Sequence, residues 1–261
     1  MMNGITFGQY IPRSSFIHHL DPRSKLYLVV ILMVAILMVD SWAAVILTVV
    51  YACSMVLLSG IPVRVYLESS KALWVILTIT VAFQIFFVPG QIIWRWGIIS
   101  ISDMGIRMGI LMAYRLAMIY LLAQLLTFTT APLQLTEALE RLLKPLERVG
   151  VPAHELAMIM TIALRFIPIF FEESSKITKA QTSRGANFQG GINSLRNLVA
   201  IMVPLFTRAF NRADELALAM ESRCYQGGEG RTRMNSLIMT ERDYLAMAVT
   251  TVLAIIIMTS F

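Results

Sequence analysis

Residues 26–59 are apolar except around Asp40-Ser41-Trp42. A helix crosses the hydrocarbon layer with about 20 apolar residues. The run is therefore too long for one span and fits two, joined by a turn at Asp40. Further apolar blocks predict a third span over about 72–89, stopping at Pro89-Gly90, a fourth over about 104–127, and a last one over about 244–261. Composition agrees: 57% of the 261 residues are hydrophobic and 15% charged, where a soluble domain carries about 25% charge. The expected class is all-α, a polytopic membrane protein with about five spans. Residues 1–25 mix polar and aromatic side chains and lack the cleavage pattern of a signal peptide, so the first apolar run reads as a retained anchor.

The net charge of +6 first reads as loop bias in such a protein. The N-terminal segment carries Arg13, Arg23 and Lys25, and the turn at 40–42 carries no lysine or arginine. Arg64 and Lys71 flank the loop at 60–71, Arg95 alone occupies the loop at 90–103, and segment 131–242 holds more than half of all basic residues. The N-terminus and the large segment are therefore expected in the cytosol. Trp42, Trp94 and Trp96 then fall near the outer boundary. Arg115 sits inside a span and is expected either to pair within the bundle or to meet a second membrane protein. No basic stretch is interleaved with aromatics, which excludes a nucleic-acid role. Cys53 and Cys224 lie far apart, with no Cys/His cluster suited to zinc. The adjacent His18 and His19 lack a third ligand and read as a polar interface.

Segment 131–242 carries the functional signal. Leu135, Leu139, Leu142, Leu143 and Leu146 fall on one face of a short amphipathic helix, with Glu137, Glu140, Arg141 and Lys144 opposite. That helix is expected to lie at the membrane surface and to end at Gly150-Val151-Pro152. Two long helical patterns come next, about 153–184 and 191–223. Each is apolar in its first half, polar in its second, and interrupted by a proline, Pro168 or Pro204, that should kink it. Each ends in a small residue, an arginine and a break: Ser183-Arg184-Gly185 and Ser222-Arg223-Cys224, the second stopping by Gly227-Gly228. Ala180 and Ala219, Ser183 and Ser222, and Arg184 and Arg223 register as a weak repeat. Ala209, Ala213 and Ala217 form a stripe at four-residue spacing, where the two long helices could cross closely; good helix propensity alone also explains them. A cation at a helix C-terminus is favourable by about 0.3–1 kcal/mol, which accounts for one tip. A docking plug, with a rigid five-donor guanidinium entering a groove, accounts for both.

Taken together, Gly8-Gln9-Tyr10-Ile11-Pro12 with Ser15, His18 and Leu20-Asp21-Pro22-Arg23-Ser24-Lys25-Leu26, then Ser183-Arg184-Gly185-Ala186-Asn187-Phe188, then Met220-Glu221-Ser222-Arg223-Cys224-Tyr225 and Gly227-Gly228-Glu229-Gly230-Arg231-Thr232-Arg233 resemble the T component of energy-coupling factor (ECF) transporters. This component is the transmembrane coupling subunit of a class of ABC importers, and the resemblance covers nearly the whole chain. It implies three parts: spans in 1–130, a coupling-helix module in 131–242, and a C-terminal span in 243–261. It implies that Arg184 and Arg223, with their neighbours Ser183, Gly185, Ser222 and Cys224, contact two ATPase subunits, one each. Serine replaces the family's alanine at both tips, and Cys224 stands where glycine is typical, which leaves the end of the second helix open.

The resemblance further implies a third partner, a small membrane S component that captures a vitamin or metal ion. Its platform would be the short helix with the apolar halves of the long ones, Leu164, Ile167 and Phe170 among them. ATP and magnesium would be bound by the partner ATPases and no cofactor by this chain, in a bacterial plasma membrane. The N-terminal motif suits the shared-module type better than a dedicated cobalt, nickel or single-vitamin type. An ordinary ABC permease would need polar residues along its spans, which are scarce. A membrane enzyme would need a His-Glu-x-x-His, a Gly-x-Ser-x-Gly or a carboxylate pair within a span, and the sequence has none; nor has it a Walker-type glycine loop. For the N-terminal motif itself, Asp21 is a good N-cap and Pro22 a good first helical residue.

Overall fold

A computed structural model describes residues 10–96, 99–150, 152–186, 192–227 and 238–259. In chain order the helices are α1 (Phe16–His19), α2 (Pro22–Leu37), α3 (Trp42–Ser59), α4 (Val63–Ser69), α5 (Lys71–Phe87), α6 (Asp103–Thr129), α7 (Pro132–Leu143), α8 (Ala153–Ser183), α9 (Ile192–Glu221) and α10 (Glu241–Thr259). A 3-10 segment, Lys144–Val149, comes after α7. The expected helical architecture is present, with one addition. The loop after Pro89-Gly90 forms a small antiparallel hairpin, β1 (Ile92–Trp96) and β2 (Ile99–Ser102), pairing Trp94 with Ile101 and Trp96 with Ile99. The side chains of Trp94, Arg95 and Trp96 lie outside the described residues.

Four helices are long and apolar enough to cross a membrane: α3, α6, α8 and α10. A fifth span arises if α4 and α5, bent by 61° at their junction, count as one. The number matches the sequence-based expectation, but the membership differs. At 16 residues, α2 reaches roughly 24 Å at 1.5 Å per residue, short of the hydrocarbon thickness. The apolar half of α8 qualifies even though its other half is charged.

The chain divides into two compact units, the boundary falling inside α7 between Ala138 and Leu139. The first holds α1–α6, the hairpin, the start of α7 and α10. Its core is layered. Ile17, Val56, Ile61, Tyr66, Leu125 and Phe128 form one cluster, in which the Tyr66 and Phe128 rings meet edge to face at 5.2 Å. Val29, Leu32, Ile36, Ala52, Met118 and Leu122 form a second, and Ala35, Val39, Ala44, Ala254 and Ile257 a third. Glycine permits one close approach: a Cβ on Gly105, at the start of α6, would lie 2.8 Å from the Gln84 carbonyl of α5. Arg115 is settled as a partner within the bundle, because its guanidinium donates to the Val39 carbonyl and to Asp40, both at 2.8 Å.

The N-terminal motif is the polar fastening of this unit. Asp21 caps α2, accepting from the Arg23 amide at 2.9 Å, with Pro22 in the first turn. The Asp21 amide in turn donates to the Asp243 carboxylate of α10 at 2.7 Å, and the Ser24 hydroxyl donates to the same oxygen at 2.9 Å. Thr240 donates to the second Asp243 oxygen from its amide and its hydroxyl. The Lys25 ammonium is buried and donates to the carbonyls of His18 and Thr129 at 3.1 and 3.0 Å. Arg13 donates to the Gly60 carbonyl. Burial lowers the pKa of His18 and the Ile11 carbonyl opposes that shift. A neutral ring donates from Nε2 to Ile11 at 3.0 Å and accepts the Ser15 hydroxyl at Nδ1, 2.7 Å away. Gly8 and Gln9 lie outside the described residues.

Candidate functional site: two arginine-ended helices

Both long helices belong to the second unit. They run antiparallel, and three contacts in opposing order establish this. Tyr225, just past the end of α9, meets His154 and Met158 near the start of α8. Midway, Arg208 pairs with Glu173. Toward the far end, the Gln181 amide donates to the Ala200 carbonyl at 3.4 Å. The last contact has a cause in the sequence. Both helices continue through their prolines, Pro168 and Pro204, but proline lacks the N–H that would bond the carbonyl four residues back. Pro204 therefore leaves the Ala200 carbonyl unbonded within α9, and Gln181 supplies the donor from α8.

The hydrogen bonds and the ion pair that join the two helices extend well beyond the alanine stripe at which a crossing was expected. Ala209 is half-buried while Ala213 and Ala217 are exposed, and polar contacts are spread along the helices.

The two ends are built alike. At the first, the amides of Gly185 and Ala186 donate to the Thr182 and Gln181 carbonyls at 2.9 and 3.0 Å, and Gly185 adopts φ +91°. At the second, the amides of Cys224 and Tyr225 donate to the Glu221 and Met220 carbonyls at 2.8 and 3.1 Å, and Cys224 adopts φ +56°. Each is a Schellman cap, with a left-handed residue one place beyond the arginine. Cys224, the residue that left the end of the second helix open, occupies glycine's position in glycine's conformation. The chain thus leaves α9 at Cys224, three residues before Gly227. Ser183 and Ser222 return their hydroxyls to the Lys179 and Ala219 carbonyls, both at 3.1 Å. Their side chains turn back on the helix, and Arg184 and Arg223 stand exposed at the ends. In the antiparallel pair the two guanidinium groups lie at opposite ends, separated by roughly 40 Å along the helices at 1.5 Å per residue.

The proposed platform residues Leu135, Leu139, Leu143, Leu164, Ile167 and Phe170 are half-buried and Leu142 is exposed. The Leu146 side chain lies outside the described residues, as do Asn187, Phe188 and Gly228–Arg233. Gly150 at φ +91° closes the turn that leads toward α8, where the expected Gly-Val-Pro break falls; Val151 itself lies outside the described residues. Sequence reasoning missed His154. Its Nδ1 donates to Glu140 of α7 at 3.1 Å, and its Nε2 faces the Tyr225 hydroxyl at 3.1 Å. A lone histidine at a helix start, some 70 residues from its partner, carries no local pattern.

The chain is thus a polytopic helical protein whose two long helices end in matched, exposed arginine caps. A family model described as CbiQ, cobalt transport protein, matches residues 13–234. The chain is also 46% identical to the energy-coupling factor transporter transmembrane protein EcfT of Ruminiclostridium cellulolyticum, covering 97% of this chain and 95% of the relative. The EcfT proteins of Brevibacillus brevis and Streptococcus equi subsp. equi are 43% and 38% identical, over 98% and 97% of this chain and 98% and 96% of theirs. The chain belongs to this family: it is a multi-pass transmembrane (T) subunit of an energy-coupling factor transporter.

Proposed function

We propose that the Arg184 and Arg223 caps each dock into one of two cytosolic ATPase subunits, and that the apolar faces of α7, α8 and α9 seat a small substrate-capturing membrane protein. The observation that carries this reading is the repetition of one cap at two ends of an antiparallel pair. Two like plugs facing opposite ways suit two like sockets related by an approximate two-fold axis. ATP and magnesium belong to the ATPases. Closure of the nucleotide-bound dimer moves the sockets, the helices carry that motion, and the seated protein reorients to open its pocket to the cytosol. The excess of lysine and arginine in the N-terminal and 131–242 segments supports a cytosolic side for both, in a bacterial plasma membrane.

A shared module serving several capture proteins is favoured over a dedicated metal module by the Gly8–Leu26 motif. Reversing both charges, Arg184→Glu with Arg223→Glu, tests the docking. The expected result is loss of the ATPase subunits from the tagged, membrane-extracted complex. Undiminished co-purification of both would overturn the proposal.

A further inference from the structure

The two caps match in backbone but differ in the side chain just beyond the left-handed residue. Two residues beyond Arg184 stands Ala186, which has no polar side chain. Two residues beyond Arg223 stands Tyr225, whose amide closes the cap on Met220 and whose hydroxyl lies 3.1 Å from His154 Nε2 and 3.0 Å from Met158 Sδ. His154 reaches on to Glu140 of α7, and the side chains of both are only 16% exposed. Ala153, next to His154, is fully buried, so the start of α8 is held in place. The glutamate sets the imidazole proton on Nδ1 and orients Nε2 toward the tyrosine, as a carboxylate partner does for any ring that must present one nitrogen. An imidazole–carboxylate contact of low exposure is also stronger than its surface counterpart.

We infer that Tyr225 and His154 are positioning residues that make the two tips unequal. Displacement of the Arg223 tip passes through Tyr225 and His154 to α7, whereas among the described residues the Arg184 tip has no such link. The inference rests on the reading that both tips meet ATPase subunits. It adds that the ATPase holding Arg223 moves the amphipathic helix directly, while the one holding Arg184 acts on α7 only through the length of the helix pair.

The test uses the full complex, co-expressed with its ATPase subunits and placed in lipid nanodiscs. Amide hydrogen exchange is compared with and without a non-hydrolysable ATP analogue. The readout is the nucleotide-dependent change in α7, Pro132–Leu143, beside that in the last turns of α8. A merely structural role shifts exchange equally in both nucleotide states and leaves the change itself intact. Coupling between sites is typically at least about fivefold, and a nucleotide response of that order is expected in α7 of the unmodified complex. Tyr225→Phe and His154→Ala should each abolish the α7 response while leaving that of α8, and the double variant should do no more than either alone. His154→Gln, which can still accept from tyrosine and donate to glutamate, should restore it.

An α7 response that survives Tyr225→Phe, or is absent from the unmodified complex, overturns the inference. Equal loss in α7 and α8 overturns the inequality of the tips. Failure of the underlying docking reading is distinguished by the charge-reversal experiment, which reads assembly rather than response.

Discussion

The first unit packs its own core, and the second leaves its apolar surface uncovered. Among the described residues, all four buried hydrophobic clusters belong to the first unit. One third of the most apolar window of α6 is buried, against 6% of the corresponding window of α8. Phe206 and Phe210 of α9 are exposed, as are Ile159 and Met160 of α8. Soluble proteins seldom leave contiguous apolar patches so large. The second unit is thus a pair of helices stitched by polar contacts whose greasy faces await lipid or protein. This suits the proposed coupling role, because a pair with little internal packing loses little of it on moving.

The largest test of that contrast pairs two phenylalanines. Phe128 is 1% exposed within the first unit's core and Phe210 is 68% exposed. Phe128→Ala should destabilise the chain by about 3–5 kcal/mol, whereas Phe210→Ala should fall within about 0.5 kcal/mol, both read by denaturant unfolding in detergent. Equal costs would break the distinction. Asp243→Ala belongs with Phe128→Ala: it strands the Asp21 amide, the Ser24 hydroxyl and the Thr240 donors. Each buried donor left without its acceptor costs about 1–3 kcal/mol. A smaller loss is expected from Arg115→Met, about 2 kcal/mol for hydrogen bonds made by a charged group. Arg115→Lys should recover part of it, since both bonds come from one guanidinium nitrogen and an ammonium also offers several donors, on a shorter side chain.

How much of this was legible depends on distance along the chain. The turn at Asp40, the capping role of Asp21, the Gly150 break and the two arginine tips are local patterns of apolar period, cap residue and helix breaker, and each is found where the sequence put it. The polar fastening was not legible, because Asp243 lies 222 residues from Asp21 and nothing near it distinguishes a buried carboxylate from a first-turn acid favoured by the helix dipole. The same holds for His154 and Tyr225. The alanine stripe is a different case. Spacing by four marks a face, but it does not say what covers that face. The hairpin at 92–102 escaped because short strands next to long spans give a weak periodic signal.

The smallest prediction sharpens the comparison between the caps themselves. Left-handed backbone costs an L-residue about 1–2 kcal/mol, and Cys224 bears that cost where Gly185 does not. Cys224→Gly should therefore stabilise the second cap. The gain is reduced by glycine's extra freedom in the unfolded chain, about 0.5–1 kcal/mol, which leaves a net effect of up to about 1 kcal/mol. Gly185→Ala should act in the opposite sense at the first cap, and through backbone strain alone, because an added Cβ there meets nothing within 4 Å. Hydrogen exchange at the closing amides of Tyr225 and Ala186 measures both, slower in the first variant and faster in the second. If both variants move in the same direction, the two ends are not the same device. If they move oppositely, the caps are one device, and the proposed inequality of the tips rests on the Tyr225–His154 link alone.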